Sequence, residues 1–241
     1  MGLRAEAYYH FDCAAHFLFE NIKRTSRGTE PALTSFSEFE IPSSPVRRSN
    51  NVLQEMETPE KSATEVVRDG LEKACRDFTD RIAPFGFSRT KKMFWTREHL
   101  HTVDFIHFHR SGSSYGAPRN FAVDIRVHFG IRVLNDTFES AALNGPFSDA
   151  TLTRAGNYHL RFNAKSGSTY DRCVDDLVRF AVQQGEPWFI RFRDPLTLGD
   201  AHLSPLRADS IEALSAALRG ESQAANVAMS RKILGIKLPK Q

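Results

Sequence analysis

Cysteine is scarce: Cys13, Cys75 and Cys173 are the only three in 241 residues. Odd in number and far apart, they exclude a disulfide framework and a Cys-x-x-Cys metal knuckle, so a reducing, cytoplasmic setting is expected. No apolar run approaches the roughly 18 residues that a membrane span needs. The opening "MGLRAEAYYHFDCAAHFLFEN" scatters Arg, Glu, His and Asp where a secretory signal needs an unbroken apolar stretch. Glu6 stands where a myristoylation signal carries Ser or Thr. Excess charge is also missing: 32 basic against 29 acidic residues leave +3, so the chain's overall charge gives no reason for an obligatory nucleic-acid or membrane partner. The glycine-containing "SGSSYGAP" matches neither GxxxxGK[ST] nor GxGxxG, and Ser111 lies in no nucleophile elbow. No motif announces a chemistry.

What is present suffices for one substantial hydrophobic core, since 41% of the residues are hydrophobic. Residues 1–57 read as an N-terminal extension or disordered linker. Their stretch "RTSRGTEPALTSFSEFEIPSSPVRRSNN" is rich in Ser, Thr, Pro and charge without a sustained period. A short helix through Phe11, Ala15, Leu18 and Ile22 precedes it, and Met56 offers an alternative start just before the ordered part. Residues 58–200 read as the core domain and 201–241 as a helical appendage.

The core opens with a helix in "SATEVVRDGLEKACRDFTDRIAPFGF": Ser62 and Glu65 have capping-box spacing, and Val67, Leu71, Ala74, Cys75, Phe78 and Ile82 form one stripe that ends at Pro84 and Gly86. Strands are expected over 89–97, 102–110, 120–129 and 158–164, the first three joined by connections short enough to make them antiparallel. A second helix is expected over "STYDRCVDDLVRFAVQQG", opened by Ser168 and Asp171 and stopped by Gly185. An aromatic connector "EPWFIRFRDP" follows, then a helix with Asp209 and Glu212 at capping-box spacing, and a frayed last helix in "SQAANVAMSRKILGIKLP". The sum is an α+β fold: an antiparallel sheet of about four strands with helices packed on one face.

Alternation assigns the faces. In 120–129, Phe121, Val123, Ile125, Val127 and Phe129 point to the core, leaving Asp124, Arg126 and His128 on the other side. In 102–110, pointing Asp104, Ile106, Phe108 and Arg110 to the core sends His107 and His109 to the polar face, and a one-residue slip would reverse this. Under the same choice Tyr158, Leu160 and Phe162 are core, with His159 and Arg161 outside. The candidate ligand-binding residues are therefore His107, His109, Ser111, Asp124, Arg126, His128, His159 and Arg161. A half-solvated antiparallel sheet is polar on one side without any ligand, so this face alone does not require one.

The order helix, "FGFSRTKKMFWTR", "VDFIHFHRS", "NFAVDIRVHFG", helix, "EPWFIRF" resembles an uncharacterised bacterial family, a domain of unknown function, over about residues 60–200. Its pattern has a Gly-Phe plus basic opening, a strand ending Gln-x-Ser and a Phe-Thr-[IV]-Asn-[LI]-Gly strand. These correspond to Gly86, Phe87 and Arg89, to His109 and Ser111, and to Phe121–Arg126. His109, Asp124 and Arg126 depart from the family's Gln, Asn and Gly. The resemblance implies no activity and marks positions 109, 111 and 124 as a polar trio. With no complete catalytic constellation, a binding or interaction domain for a protein or small polar ligand is expected, without a cofactor. The alternative is a metal-assisted hydrolase holding a divalent ion such as zinc on His107, His109 and Asp124, or a base made of His107 and Asp124. A third reading is nucleic-acid binding through Arg89, Lys91, Lys92, Arg97 and the aromatics between them.

Overall fold

A capped, amphipathic helix lies across an antiparallel sheet, and both follow from the patterns above. The computed structural model describes residues 61–110, 119–148 and 158–237. The expectations for residues 1–57 fall outside these. Residues 60–241 make up one compact unit, which includes the helices beyond residue 200. Helix α1 spans Ala63–Ile82. Its capping box is complete: the Ser62 hydroxyl accepts from the Glu65 N–H at 3.3 Å, and the Glu65 carboxylate accepts from the Ser62 N–H at 2.9 Å. The buried residues of α1 are the six of the predicted stripe. A 3₁₀ turn with Pro84 and a left-handed Gly86 ends the run.

The sheet has five strands in the order β1-β2-β3-β4-β5, each antiparallel to its neighbour. They are β1 Ser88–Lys91, β2 Phe94–Glu98, β3 Thr102–Arg110, β4 Ala122–Val133 and β5 Arg161–Asn163. The fold is thus α+β, with one strand more than expected because 89–97 folds back on itself at Lys92 and Met93. Strand β5 is short, and three further contacts, from Leu160 just before it and from residues 146–148, hold the outer edge of β4. Leu160 accepts from the Ile125 N–H at 3.0 Å, Pro146 accepts from the Phe129 N–H at 3.1 Å, and the Ser148 hydroxyl accepts from the Val127 N–H at 3.1 Å. Buried ladder groups left without such partners would be costly.

The strand register puts Ile106 opposite Phe129 and Phe108 opposite Val127 on the core face, and His107 opposite His128 and His109 opposite Arg126 on the second face. The core face packs on α1 and on α2, Tyr170–Phe180. Gly185 does not stop this second helix. A π-turn at Ala181–Gly185 carries it into α3, Glu186–Arg191, so the expected connector is helical. The wider turn makes room for Pro187. It also seats Gly185 on the Phe129 ring, where a Cβ would come within 3.0 Å of two ring carbons. Helix α2 itself starts after a left-handed Thr169 (φ 62°), without a Ser168 cap.

Helix α4, Pro195–Gly199, is capped by Asp194, and α5, Ala208–Leu218, begins one residue before the expected Asp209 cap. The last helix is regular. Helix α6, Ala224–Leu234, closes on a left-handed Gly235 and lies on the second face, where Leu234 packs with Phe94, Val103, Phe105 and Leu134. The apolar members of the alternating set Val103, Phe105, His107, His109 give it that footing. Helices therefore cover the whole core face and one end of the other. None of the described helices is long and apolar enough to cross a membrane.

Candidate functional site

Beyond the reach of α6, the second face carries a row of rings. Phe105 stacks on Phe94 with centroids 5.1 Å apart, and Phe94 lies 5.1 Å from His107. His107 lies 3.9 Å from His109, His109 4.6 Å from His128, and Phe147 stacks on His128 at 5.7 Å. Three imidazoles thus sit in contact, two supplied by alternate positions of β3 and one by β4, with an aromatic ring at either end. Register brings Arg126 opposite His109.

Burial dominates the electrostatics of the two β3 rings. Burial, followed by the neighbouring His109 and His128 and then Lys91, pulls the His107 imidazole down to about 4. Burial first and Arg126 second also lower His109. The His107 ring is therefore neutral at pH 7, and His109 takes up a proton less readily than a free imidazole. The Nε2 atom of His109 is buried and has no hydrogen-bond partner. An unsatisfied buried polar atom is expensive, on the order of 1–3 kcal/mol, and such atoms are rare in folded proteins.

The other candidates lie apart from the stack. Asp124 pairs in register with Arg161 on β5, and the Arg161 Nε lies 3.8 Å from its carboxylate. His159 faces away from the buried Tyr158 and Leu160, and its backbone N–H donates to the Asp176 carboxylate at 2.6 Å. Ser111 lies outside the described residues. Asp124 is a diagonal cross-strand neighbour of His109, at about 7–8 Å, but four residues along the strand from His128 and so about 14 Å from His107. A His107–Asp124 base is therefore not assembled. The metal set fails for the same reason: among the described residues no three His, Cys, Asp or Glu side chains are placed to share an ion.

The basic segment is engaged elsewhere. Arg89 makes a two-pronged contact with Glu72 at 2.7 and 2.8 Å, Lys91 donates to the Ile233 carbonyl, and Arg97 is paired with Asp104. Phe94 and Trp95, the rings that would stack on bases, are 7% and 0% exposed. A cleft of about 390 Å³ opens between β1, β2 and Gly235–Lys237, and of its charged walls Arg89 pairs with Glu72 and Glu98 with Arg231. With both rings buried, this arrangement lacks the stacking platform of nucleic-acid recognition.

One cluster escaped sequence reading. On the core face, Arg97 donates to Asp104 at 2.9 and 3.0 Å and to Glu186 at 2.9 Å, while His99 Nε2 lies 2.8 Å from the same Asp104 oxygen. The Arg97 guanidinium also covers the Phe87 ring at 4.4 Å. The signal was in the alternation, which turns Asp104 toward the core beside Ile106 and Phe108, where a carboxylate needs a cation. The network ties the β2–β3 hairpin to the start of α3 and is a clamp. Cys75 and Cys173 are buried free thiols pushed up to about 12 by burial, which leaves them inert.

No family model, no curated protein and no solved structure matches the chain.

Proposed function

We propose that the protein is a cytosolic binding domain whose ligand surface is the imidazole end of the second sheet face: His107, His109, His128 and the facing Arg126, with Asp124 and Arg161 at the rim. The observation that carries this is the buried, unpartnered Nε2 of His109 at the centre of three touching imidazoles. An incoming polar group would satisfy it, and the flanking Phe94 and Phe147 rings would shield the contact from water. A protein side chain and a small polar molecule both meet this description. The resemblance to the uncharacterised bacterial family belongs to the same reading, since positions 109 and 124 remain diagonal neighbours on this face.

The test is an NMR screen of the full chain, with labelled histidines, against a library of small polar compounds. Binders should move the ring resonances of His107, His109 and His128, and the double substitution His109→Ala with Arg126→Ala should abolish the response while melting stays cooperative. Binders that act only away from these rings would overturn the proposal.

A further inference from the structure

Strand β1 stands at the end of the sheet order and pairs with β2 alone. In such an edge strand every second residue turns its N–H and C=O away from the only neighbour. Among the described residues no other segment exchanges a backbone hydrogen bond with β1. Two of its side chains fasten the end of α6 instead: the Thr90 hydroxyl donates to the Leu234 carbonyl at 2.7 Å, and the Lys91 ammonium to that of Ile233. A hollow flanks the strand on either side. One, of about 420 Å³, is lined by Glu72, Lys91 and Lys92, and the other, the cleft of about 390 Å³, by Ser88, Thr96 and Lys237. Arg89 and Thr90 line both, so the two hollows meet at the middle of β1.

The charges there are uneven. Arg89, Lys91, Lys92 and Lys237 line the hollows against two carboxylates, Glu72 and Glu98. Glu72 is held by Arg89 and Glu98 by Arg231, whereas Lys91 donates to a neutral carbonyl and Lys92 and Lys237 are exposed. Both carboxylates are taken, and the edge keeps a surplus of lysines. A second copy of β1 paired here would bring these cations against themselves, which is unfavourable. An acidic strand meets the opposite condition.

We propose that the β1 edge docks a short, extended, acidic segment of a partner protein, which joins the sheet as a sixth strand. Backbone hydrogen bonds to the outward groups of β1 give the segment its affinity, and its alternate side chains enter the two hollows and set its sequence. Acidic side chains meet Lys92 in one hollow and Lys237 in the other. With four residues and a bulge between Arg89 and Lys91, β1 pairs with only a few residues of the partner. This surface uses none of the imidazoles of the second face.

The probe is a fluorescently tagged peptide with blocked ends, Thr-Glu-Glu-Glu-Glu-Thr, into which the full chain is titrated at low ionic strength. Anisotropy should rise to a plateau, and amide hydrogen exchange should slow in β1. A copy with Lys for every Glu should not bind. A copy N-methylated at every amide keeps its charge and loses its backbone donors, so its affinity should fall about tenfold or more. Lys92→Glu together with Lys237→Glu, both on exposed positions, should weaken the parent peptide by about the same factor in a protein that still melts cooperatively. An N-methylated copy that binds as well as the parent, or an affinity unchanged by the two substitutions, would overturn the inference. Dimerisation through β1 that displaces the peptide would give the edge to a second copy, and an oligothymidine that outcompetes the peptide would give its lysines to a nucleic acid; either result removes the acidic partner. Each of these failures leaves the imidazole surface standing, because its own test reads the histidine rings.

Discussion

The two faces of the same sheet solve opposite problems. On the core face, Ile106, Phe108, Val123, Ile125, Val127 and Phe129 are at most 4% exposed, and the half-buried cation Arg97 is balanced by Asp104 and Glu186. On the second face, apolar burial under α6 stops at Phe94 and Phe105. The next positions outward are imidazoles, and the Nε2 atom of His109 among them has no hydrogen-bond partner. A third pattern marks the boundary: Arg132, 2% exposed, is held by the Ser230 hydroxyl at 2.9 Å and by the carbonyls of Ser140 and Phe138 at 2.8 and 2.7 Å. Neutral acceptors suffice there because, with the Asp136 carbonyl, four hydrogen bonds to the guanidinium are made at once. The difference teaches that polarity on a sheet face is not one thing. A saturated network fastens elements together, whereas an unsaturated one keeps a capacity for something else.

Breaking the saturated side should have the largest effect. Arg97→Ala leaves the buried Asp104 and the half-buried Glu186 without their cation and should cost about 3 kcal/mol, read from the midpoint of urea unfolding. At the covered end of the second face, Gly130→Ala puts a Cβ at 2.2 Å from the Phe105 ring and 2.6 Å from the Ala142 carbonyl. Overpacking there should cost about 1–3 kcal/mol, with faster hydrogen exchange in α6. The unsaturated side should respond to acid. His107 titrates at about 4 in the fold against 6.5 in the unfolded chain, so its contribution is complete above pH 6.5 and is lost as pH falls toward 4, where only the unfolded chain takes up the proton first. Allowing for solvent screening of the exposed part of the ring, the loss should be roughly 2 kcal/mol, and His107→Phe should remove most of that slope. The smallest effect belongs to neither face: Ser62→Ala removes the α1 cap and should cost about 1 kcal/mol at any pH between 6 and 8. An Arg97→Ala loss no larger than that of Ser62→Ala would erase the contrast.

Alternation and helical spacing determined a good deal by themselves. The α1 stripe, its cap and the α+β class were legible because each depends on neighbours within a turn or a strand. The parity of "DFIHFHRSG" was legible too, once "NFAVDIRVHF" supplied a face to match. What local pattern could not reach was distance along and across the sheet. His107 and Asp124 share a face, but register sets them four positions apart, and only strand pairing decides that. Gly185 and Pro187 carry helix-stopping chemistry, yet a π-turn and the Phe129 ring overrule them, because packing against a partner far in sequence outweighs propensity. The last helix looked frayed for the same reason: its stability comes from Leu234 on Phe94, Val103 and Phe105, contacts made across more than 100 positions of chain. The sequence by itself determined which residues face the same way. Tertiary structure alone decided which of them touch, since contact depends on register and on what covers each end of the face, and neither is written in any one segment.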